Sequence, residues 1–262
     1  MYYCCGITDK GIMPHNEDAM LLHHSVMADG SRQIGVDAPF IVAVCDGVSG
    51  EQAGELASRN CLLHLAQTKY TRKYNLKRRI LEIHNLIAED SRGQNERENM
   101  QTTLCGVAFD EDNAMHCFNV GDSRLYRYRS GSLEQLSRDQ TLVQMLYEEG
   151  TITSEEKKVH SHRNIILPVI GNIGEEPKPD LTLYPDGLLE GDLILLCSDG
   201  LSDYVSDFEM EEILALPQSL SERLRLLAAR ALHKGGKDNV TIIAVVRYPD
   251  GIPLPPCQIL GN

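Results

Sequence analysis

Apolar and polar positions along this chain follow two periods. Short continuous apolar runs stand at Phe40–Cys45 (FIVAVC), Leu193–Cys197 (LILLC) and residues 241–246 (TIIAVV). Runs of about four to eight residues, bounded by Pro, Gly or Asp, predict strands buried on both faces. Weaker runs predict strands over residues 2–7, 19–24, 102–109, 114–120, 124–129 and 132–136. Turn residues at 110–113, 121–122 and 130–131 separate the last four, which predicts an antiparallel meander. The other period is helical. Leu76, Ile80, Ile83 and Ile87 line one helix face, and that helix runs out in the polar stretch 91–99. Helices are also predicted over 51–69, 141–149, 154–160, 207–216 and 220–233. Residues 28–36 and the Pro-, Gly- and acid-rich stretch 171–187 read as irregular. Strands in runs, with long helices segregated from them, predict an α+β fold built on antiparallel sheets.

Composition narrows the class. With 42% hydrophobic and 24% charged residues, the chain can bury a sizeable core. The expected organisation is one domain over residues 1–248, followed by a Pro-rich tail over 249–262. A formal net charge of −13 argues against nucleic acid or an anionic membrane as partner. None of the eight cysteines forms a C-x-x-C pair, and several fall inside strand-like runs. They read as reduced core thiols of a cytoplasmic protein. Neither a signal peptide nor a membrane span is visible, so a complete, soluble, monomeric chain is expected. Arg72, Lys73, Lys77, Arg78 and Arg79 cluster at the start of the 76–87 helix. A solvated helix face is the expectation there. The alternative is a docking patch for an acidic or phosphorylated partner.

The chemistry enters through a recurrence. Phe40–Cys45 ends in Asp46-Gly47, and Leu193–Cys197 leads through Ser198 into Asp199-Gly200. Asn16-Glu17-Asp18 precedes the strand at 19–24, and Lys237-Asp238-Asn239 precedes the one at 241–246. Asp122 sits in a turn between strands, and Asp203 follows Asp199 by four residues. One such Asp is a turn cap. A convergent set would repel unless compensated, and the simplest compensator is a pair of divalent cations. All-oxygen donors without His or Cys select Mg²⁺ or Mn²⁺ over Zn²⁺. Two such ions can activate a water and clamp a phosphoryl group.

These segments resemble the PPM (2C-type) metal-dependent serine/threonine protein phosphatases, in particular the compact bacterial signalling members. The matching motifs stand in order. They are N-E-D at 16–18, D-G-x-x-G-x-x-A-G-E at 46–55, T-T-L at 102–104, N-V-G-D-S-R at 119–124, S-D-G-L-S-D at 198–203 and K-D-N-V-T at 237–241. The resemblance implies a four-layer sandwich, two antiparallel sheets flanked by helices, with the metals at one end of the sheets. It implies hydrolysis of phosphoserine and phosphothreonine in proteins by a metal-bridging hydroxide, with a cognate Ser/Thr kinase as a further partner. Asp18, Asp46, Asp199 and Asp238 would be the catalytic set. Asp46 would bridge two Mn²⁺ or Mg²⁺ ions, the Gly47 carbonyl would bind one, and Asp199 and Asp238 the other. Glu17 and Asp18 would hold metal-bound waters, and Asn239 would orient ligands from behind. Asp122, Asp199 and Asp203 would form a weaker third site. Residues 141–164 would be a flap beside the site, carrying His160 and Arg163 toward substrate.

Two positions depart from the family pattern. Met13 stands where the family usually places a phosphate-gripping Arg, leaving His15 as the candidate for part of that role. Val48 stands where many eukaryotic members have a His. The Met13 departure opens an alternative: a phosphatase-fold binding or regulatory module with weak turnover.

Overall fold

The structure is a computed structural model. It describes residues 1–48, 53–92 and 100–248, and the backbone of Ile259–Leu260. The expected turn at Gly50, the helix start at Glu51, most of the polar stretch 91–99 and the rest of the Pro-rich tail lie outside the described residues.

The apolar runs become strands with both faces covered. In β5 (Phe40–Cys45), Phe40, Val42 and Val44 point into one core, while Ile41, Ala43 and Cys45 point into another. In β11 (Leu193–Cys197), Ile194 and Leu196 share the first of these cores with β5. Leu193, Leu195 and Cys197 face a third core. This is the period of two of an extended chain, hidden in the sequence because both faces are apolar. Burying each such aliphatic side chain contributes roughly 1.5–3 kcal/mol.

Two antiparallel sheets result. One contains β1 (Tyr2–Asp9), β4 (Gly30–Val36), β8 (Arg124–Arg129), β9 (Ser132–Gln135), β11, β12 (Val240–Arg247) and β13 (Ile259–Leu260). Its order is β13-β4-β1-β12-β11-β8-β9. The other contains β2 (Ala19–Leu22), β3 (Ser25–Met27), β5, β6 (Leu104–Phe109), β7 (Met115–Val120) and β10 (Asp180–Tyr184). Its order is β10-β7-β6-β5-β2-β3. The core between the sheets holds Tyr2, Phe40 and Phe109, whose rings pack 4.6–5.1 Å apart. Helices α1 (Gly54–Ala66) and α2 (Leu76–Ser91) cover the outside of the β5 sheet. Helices α5 (Asp199–Ser202), α6 (Asp207–Leu214) and α7 (Leu220–His233) cover the outside of the β11 sheet. Capping boxes at Ser206/Glu209 and Ser219/Glu222 start α6 and α7.

Three expectations change. Residues 30–36 are a strand rather than a loop. β4 is polar and glycine-containing, and pairs with β1 from Val36 opposite Tyr2 to Gly30 opposite Thr8. Asp180–Tyr184, inside the stretch read as irregular, is a mostly exposed strand beside β7. The expected meander is divided. β6 pairs with β7, whereas β8 and β9 join the opposite sheet. The 121–123 turn is therefore a crossing between layers, and Asp122 sits on it.

Candidate metal centre

Strand register brings the acidic residues to one end of the sandwich. Ala19 lies opposite Cys45, so Asp18 and Asp46, the next residue beyond each, leave the sheet side by side. In the other sheet Cys197 lies opposite both Ile242 and Arg124. Asp199, Asp238 and Asp122 therefore emerge at one end of the β11 sheet. Gly200 locks two of these segments together, since a Cβ there would lie 1.9 Å from the Asn239 carbonyl oxygen.

The main chain at Asp46 is held by a pair of threonines. The Asp46 N–H donates to Thr103 Oγ1 at 3.0 Å, and its carbonyl accepts from Thr102 Oγ1 at 2.9 Å and Thr103 N–H at 2.8 Å. Gly47 donates its N–H to the Glu17 carbonyl at 3.1 Å. A Cβ at Gly47 would sit 2.5 Å from the backbone of Gly54, so the approach of these segments needs glycine. Asp18 is buried and accepts from Ser198 Oγ at 2.7 Å. Ser198 Oγ accepts in turn from the Thr241 N–H at 3.0 Å. Asn239 fastens the 10–17 loop: its Oδ1 accepts from Glu17 N–H at 2.7 Å, and its Nδ2 donates to the Lys10 and His15 carbonyls at 3.0 Å each.

The carboxylates dominate one another's electrostatics. Asp46 and Asp199 keep some exposed surface, yet burial is the first cause that pushes their pKa values well above the usual range. The next causes for Asp46 are the charges of Asp18, Asp199, Asp122 and Asp238. For Asp199 they are Asp122, Asp238, Asp203 and Asp18. Burial pushes Asp18 to about 7, against opposing hydrogen bonds from Ser198 and Thr241. Burial, and then Asp139, push Asp122 to about 7. Burial, followed by Asp203, raises Asp238.

Two observations fit this group to hard divalent cations. The donors are carboxylate oxygens, and among the described residues Asp199 Oδ1 is buried without a hydrogen-bond partner. Among the described residues the carboxylates are not drawn into a closed cage of three. Like charges there repel one another, and a bound cation would supply the missing attraction.

The other candidates divide. Arg163 donates to Asp203 Oδ2 at 2.8 Å, so the 141–164 segment closes onto the edge of the site. That segment contains α3 (Leu142–Glu148) and α4 (Ser154–Val159), near their predicted positions. Among the described residues, no hydrogen bond or ion pair joins the His15 or His160 side chain to the carboxylates. His160 Nδ1 accepts from the His162 N–H at 3.1 Å. Between the segment and α5–α6 runs a cleft of about 730 Å³, lined by Asp122 and Asp199 together with Lys158, Arg163 and Phe208. The supporting roles of the Thr102, Thr103, Ser198 and Thr241 hydroxyls are not visible in the sequence. Their motifs were visible, but the partners lie in other segments of the chain.

Comparison with known proteins gives one consistent result. The family model for protein phosphatase 2C matches residues 25–235. The serine/threonine protein phosphatase PstP of Mycobacterium tuberculosis is 37% identical over 218 residues, 80% of this chain. This chain spans 41% of the length of that relative. The serine/threonine phosphatase stp of Listeria welshimeri is 32% identical over 250 residues, covering 92% of this chain and 94% of the relative. Among solved structures, Stp1 from Staphylococcus aureus superposes with a TM-score of 0.81 at 29% identity, covering 95% of this chain and 96% of that one. The catalytic domain of PstP, in complex with two manganese ions, gives 0.74 at 31% identity, covering 94% of this chain and 99% of that one.

Proposed function

This chain belongs to the protein phosphatase 2C family, and from that premise we propose that it is a metal-dependent protein serine/threonine phosphatase. The observation that carries the reading is the carboxylate group: Asp18, Asp46, Asp122, Asp199 and Asp238 meet at one end of the sandwich. Each has a raised pKa, and Asp199 Oδ1 has no partner among the described residues. Two Mn²⁺ or Mg²⁺ ions bound there supply the charge that activates a water and neutralises a phosphoryl group. Asp46, Gly47, Asp199 and Asp238 are the residues to hold them, with Asp122, Asp199 and Asp203 to hold a weaker third.

The chain's own contribution is placement. Thr102 and Thr103 fix the main chain from which the Asp46 carboxylate projects. Ser198 fixes the Asp18 carboxylate. Asn239 holds the 10–17 loop, and with it the Glu17 main chain, against the Asp238 segment. Lys158, Arg163 and Phe208 along the cleft offer charged and apolar contacts to a phosphorylated segment of a protein substrate. A cognate Ser/Thr kinase is the partner whose products such an enzyme would reverse. We take residues 1–248 as one catalytic domain, working as a monomer in the cytoplasm. Among the described residues, no helix is long and apolar enough to cross a membrane. The test is turnover of p-nitrophenyl phosphate and of a phosphothreonine peptide with Mn²⁺ and with Mg²⁺. Turnover that EDTA abolishes is expected; absence of turnover on both substrates with either ion would refute the proposal.

Met13 bears on strength of binding. It lies in the turn that its own N–H closes onto the Lys10 carbonyl at 3.1 Å, and Asn239 anchors that turn to the Asp238 segment. A guanidinium here would add a charge-assisted contact to phosphate of roughly 1.5–3 kcal/mol. Met13→Arg is therefore expected to lower KM for the phosphopeptide by about tenfold or more. An unchanged KM would show that another group already grips the phosphate.

A further inference from the structure

His84 lies on α2, outside the β5 sheet and away from the cluster of acidic residues. We propose that His84 is a positioning residue for the candidate metal centre, acting through Gly171 and Thr102 on the main chain of Asp46. The proposal rests on the phosphatase reading only for what the centre does.

Each link is a contact. His84 is 5% exposed and shares the buried face of α2 with Ile80, Ile83 and Ile87. Its Nδ1 accepts the Gly171 N–H at 3.2 Å, which places the ring proton on Nε2. Burial pulls its pKa below the usual imidazole value against an opposing pull from Glu176, so the neutral, accepting form is favoured. Gly171 has φ +87, and a Cβ there would lie 2.1 Å from the Met100 carbonyl oxygen. Its N–H direction is therefore fixed by backbone that no other residue fits.

The preceding residue carries the connection inward. Ile170 and Thr102 exchange both backbone hydrogen bonds, each at 3.1 Å. Asn172 Nδ2 adds a contact to Gln101 Oε1 at 3.3 Å. The 101–103 segment then holds the Asp46 loop. Thr102 Oγ1 and Thr103 N–H both donate to the Asp46 carbonyl, and the Gln101 carbonyl accepts the Val48 N–H at 3.0 Å. Packing alone asks only for an apolar side chain at position 84, as at Ile80, Ile83 and Ile87. An imidazole with its acceptor on Gly171 does something more. It fixes the 169–172 segment that braces the Asp46 support from behind.

Three variants of the full chain separate positioning from filling. His84→Asn keeps an acceptor close to the Nδ1 position. His84→Gln moves the acceptor outward, and His84→Leu removes it. The readouts are amide hydrogen exchange in the metal-free protein, the Mn²⁺ concentration that half-saturates the rise in Tm, and kcat and KM for p-nitrophenyl phosphate below all the melting temperatures. Loss of a partner that orients a metal site costs about 10–100-fold in affinity or activity. Leu and Gln are expected to speed exchange at residues 102, 103 and 171, to raise the half-saturating Mn²⁺ about tenfold and to lower kcat with KM unchanged. Asn is expected to stay close to wild type in all three. If the Leu variant does not fold, the Asn and Gln pair decides. Gln matching wild type, or Asn impaired as much as Gln, would overturn the proposal. Exchange and Mn²⁺ binding report on His84 even if the chain hydrolyses neither substrate.

Discussion

Asp46→Asn is expected to abolish metal-dependent turnover and to raise the melting temperature of the metal-free protein. The two effects have one cause. Burial raises the Asp46 pKa, followed by the charges of Asp18, Asp199, Asp122 and Asp238. At the proposed metal site that charge would be the central ligand, and removing it would take away electrostatic stabilisation worth several kcal/mol in the transition state. A loss of about 4 kcal/mol is roughly a thousandfold in rate. Without metal, the same charge only repels its neighbours, so neutralising it relieves the fold. The substitution conserves volume, and Thr102 and Thr103 bind the main chain of Asp46, so those hydrogen bonds survive. The checks are kcat/KM across an Mn²⁺ titration and melting in EDTA. Asp192→Asn is the control of opposite sign. Asp192 is buried and paired in bidentate fashion with Arg129 at 2.5–2.6 Å, so its loss should lower the melting temperature. If Asp46→Asn melts lower in EDTA than the parent, the acidic residues do not strain one another.

The parts of the fold legible in the sequence were those with unmixed burial. β5 and β11 could be read because both faces are covered, and α2 because Leu76, Ile80, Ile83 and Ile87 share one buried face. β4 and β10 could not. Their residues are largely polar or exposed, and each is a strand because a neighbour supplies the backbone hydrogen bonds. The transfer of β8 and β9 to the other sheet was equally hidden, because a short turn joins strands within a layer or across two. The repeated Asp-Gly exits pointed toward the site, but not toward its support. Thr103 meets Asp46, Ser198 meets Asp18, and Asn239 meets Glu17 only once the strands are in register. In the basic cluster at the start of α2, Arg72, Lys73, Lys77 and Arg78 are exposed, whereas Arg79 turns inward to the His64 carbonyl and Thr68 Oγ1. Arg72 pairs with Asp112, and Arg78 and Arg79 with Glu82.

The second large effect is a stability that depends on pH and metal together. Asp18 and Asp122 have folded pKa values near 7, both raised first by burial. An unfolded Asp titrates near 4, so between about pH 4 and 7 the folded protein binds more protons than the unfolded one. Stability of the metal-free protein therefore falls as pH rises through that window, the reverse of the usual paired carboxylate. For Asp18, a shift of about three units bounds the contribution at roughly 4 kcal/mol. The sum over the group is smaller than separate contributions would give, because neighbouring charges share one repulsion. Three histidines act in the opposite direction. Burial lowers the pKa values of His23, His64 and His84, so their contribution to stability grows as pH rises toward 6.5. His23 and His64 lie outside the carboxylate group, so they cancel when the same protein is compared with and without metal at each pH; His84, which braces the site only when neutral, shifts the comparison in the same direction as the carboxylates. The difference isolates the site. At the proposed site Mn²⁺ would bind the folded, deprotonated cluster, and its stabilisation would follow the ratio of its concentration to its dissociation constant. The rise in Tm from excess Mn²⁺ over EDTA should thus be small near pH 5 and grow steeply toward pH 8. An increment equal at both ends would mean that these carboxylates are already ionised at pH 5, and that no strained cluster awaits the metal.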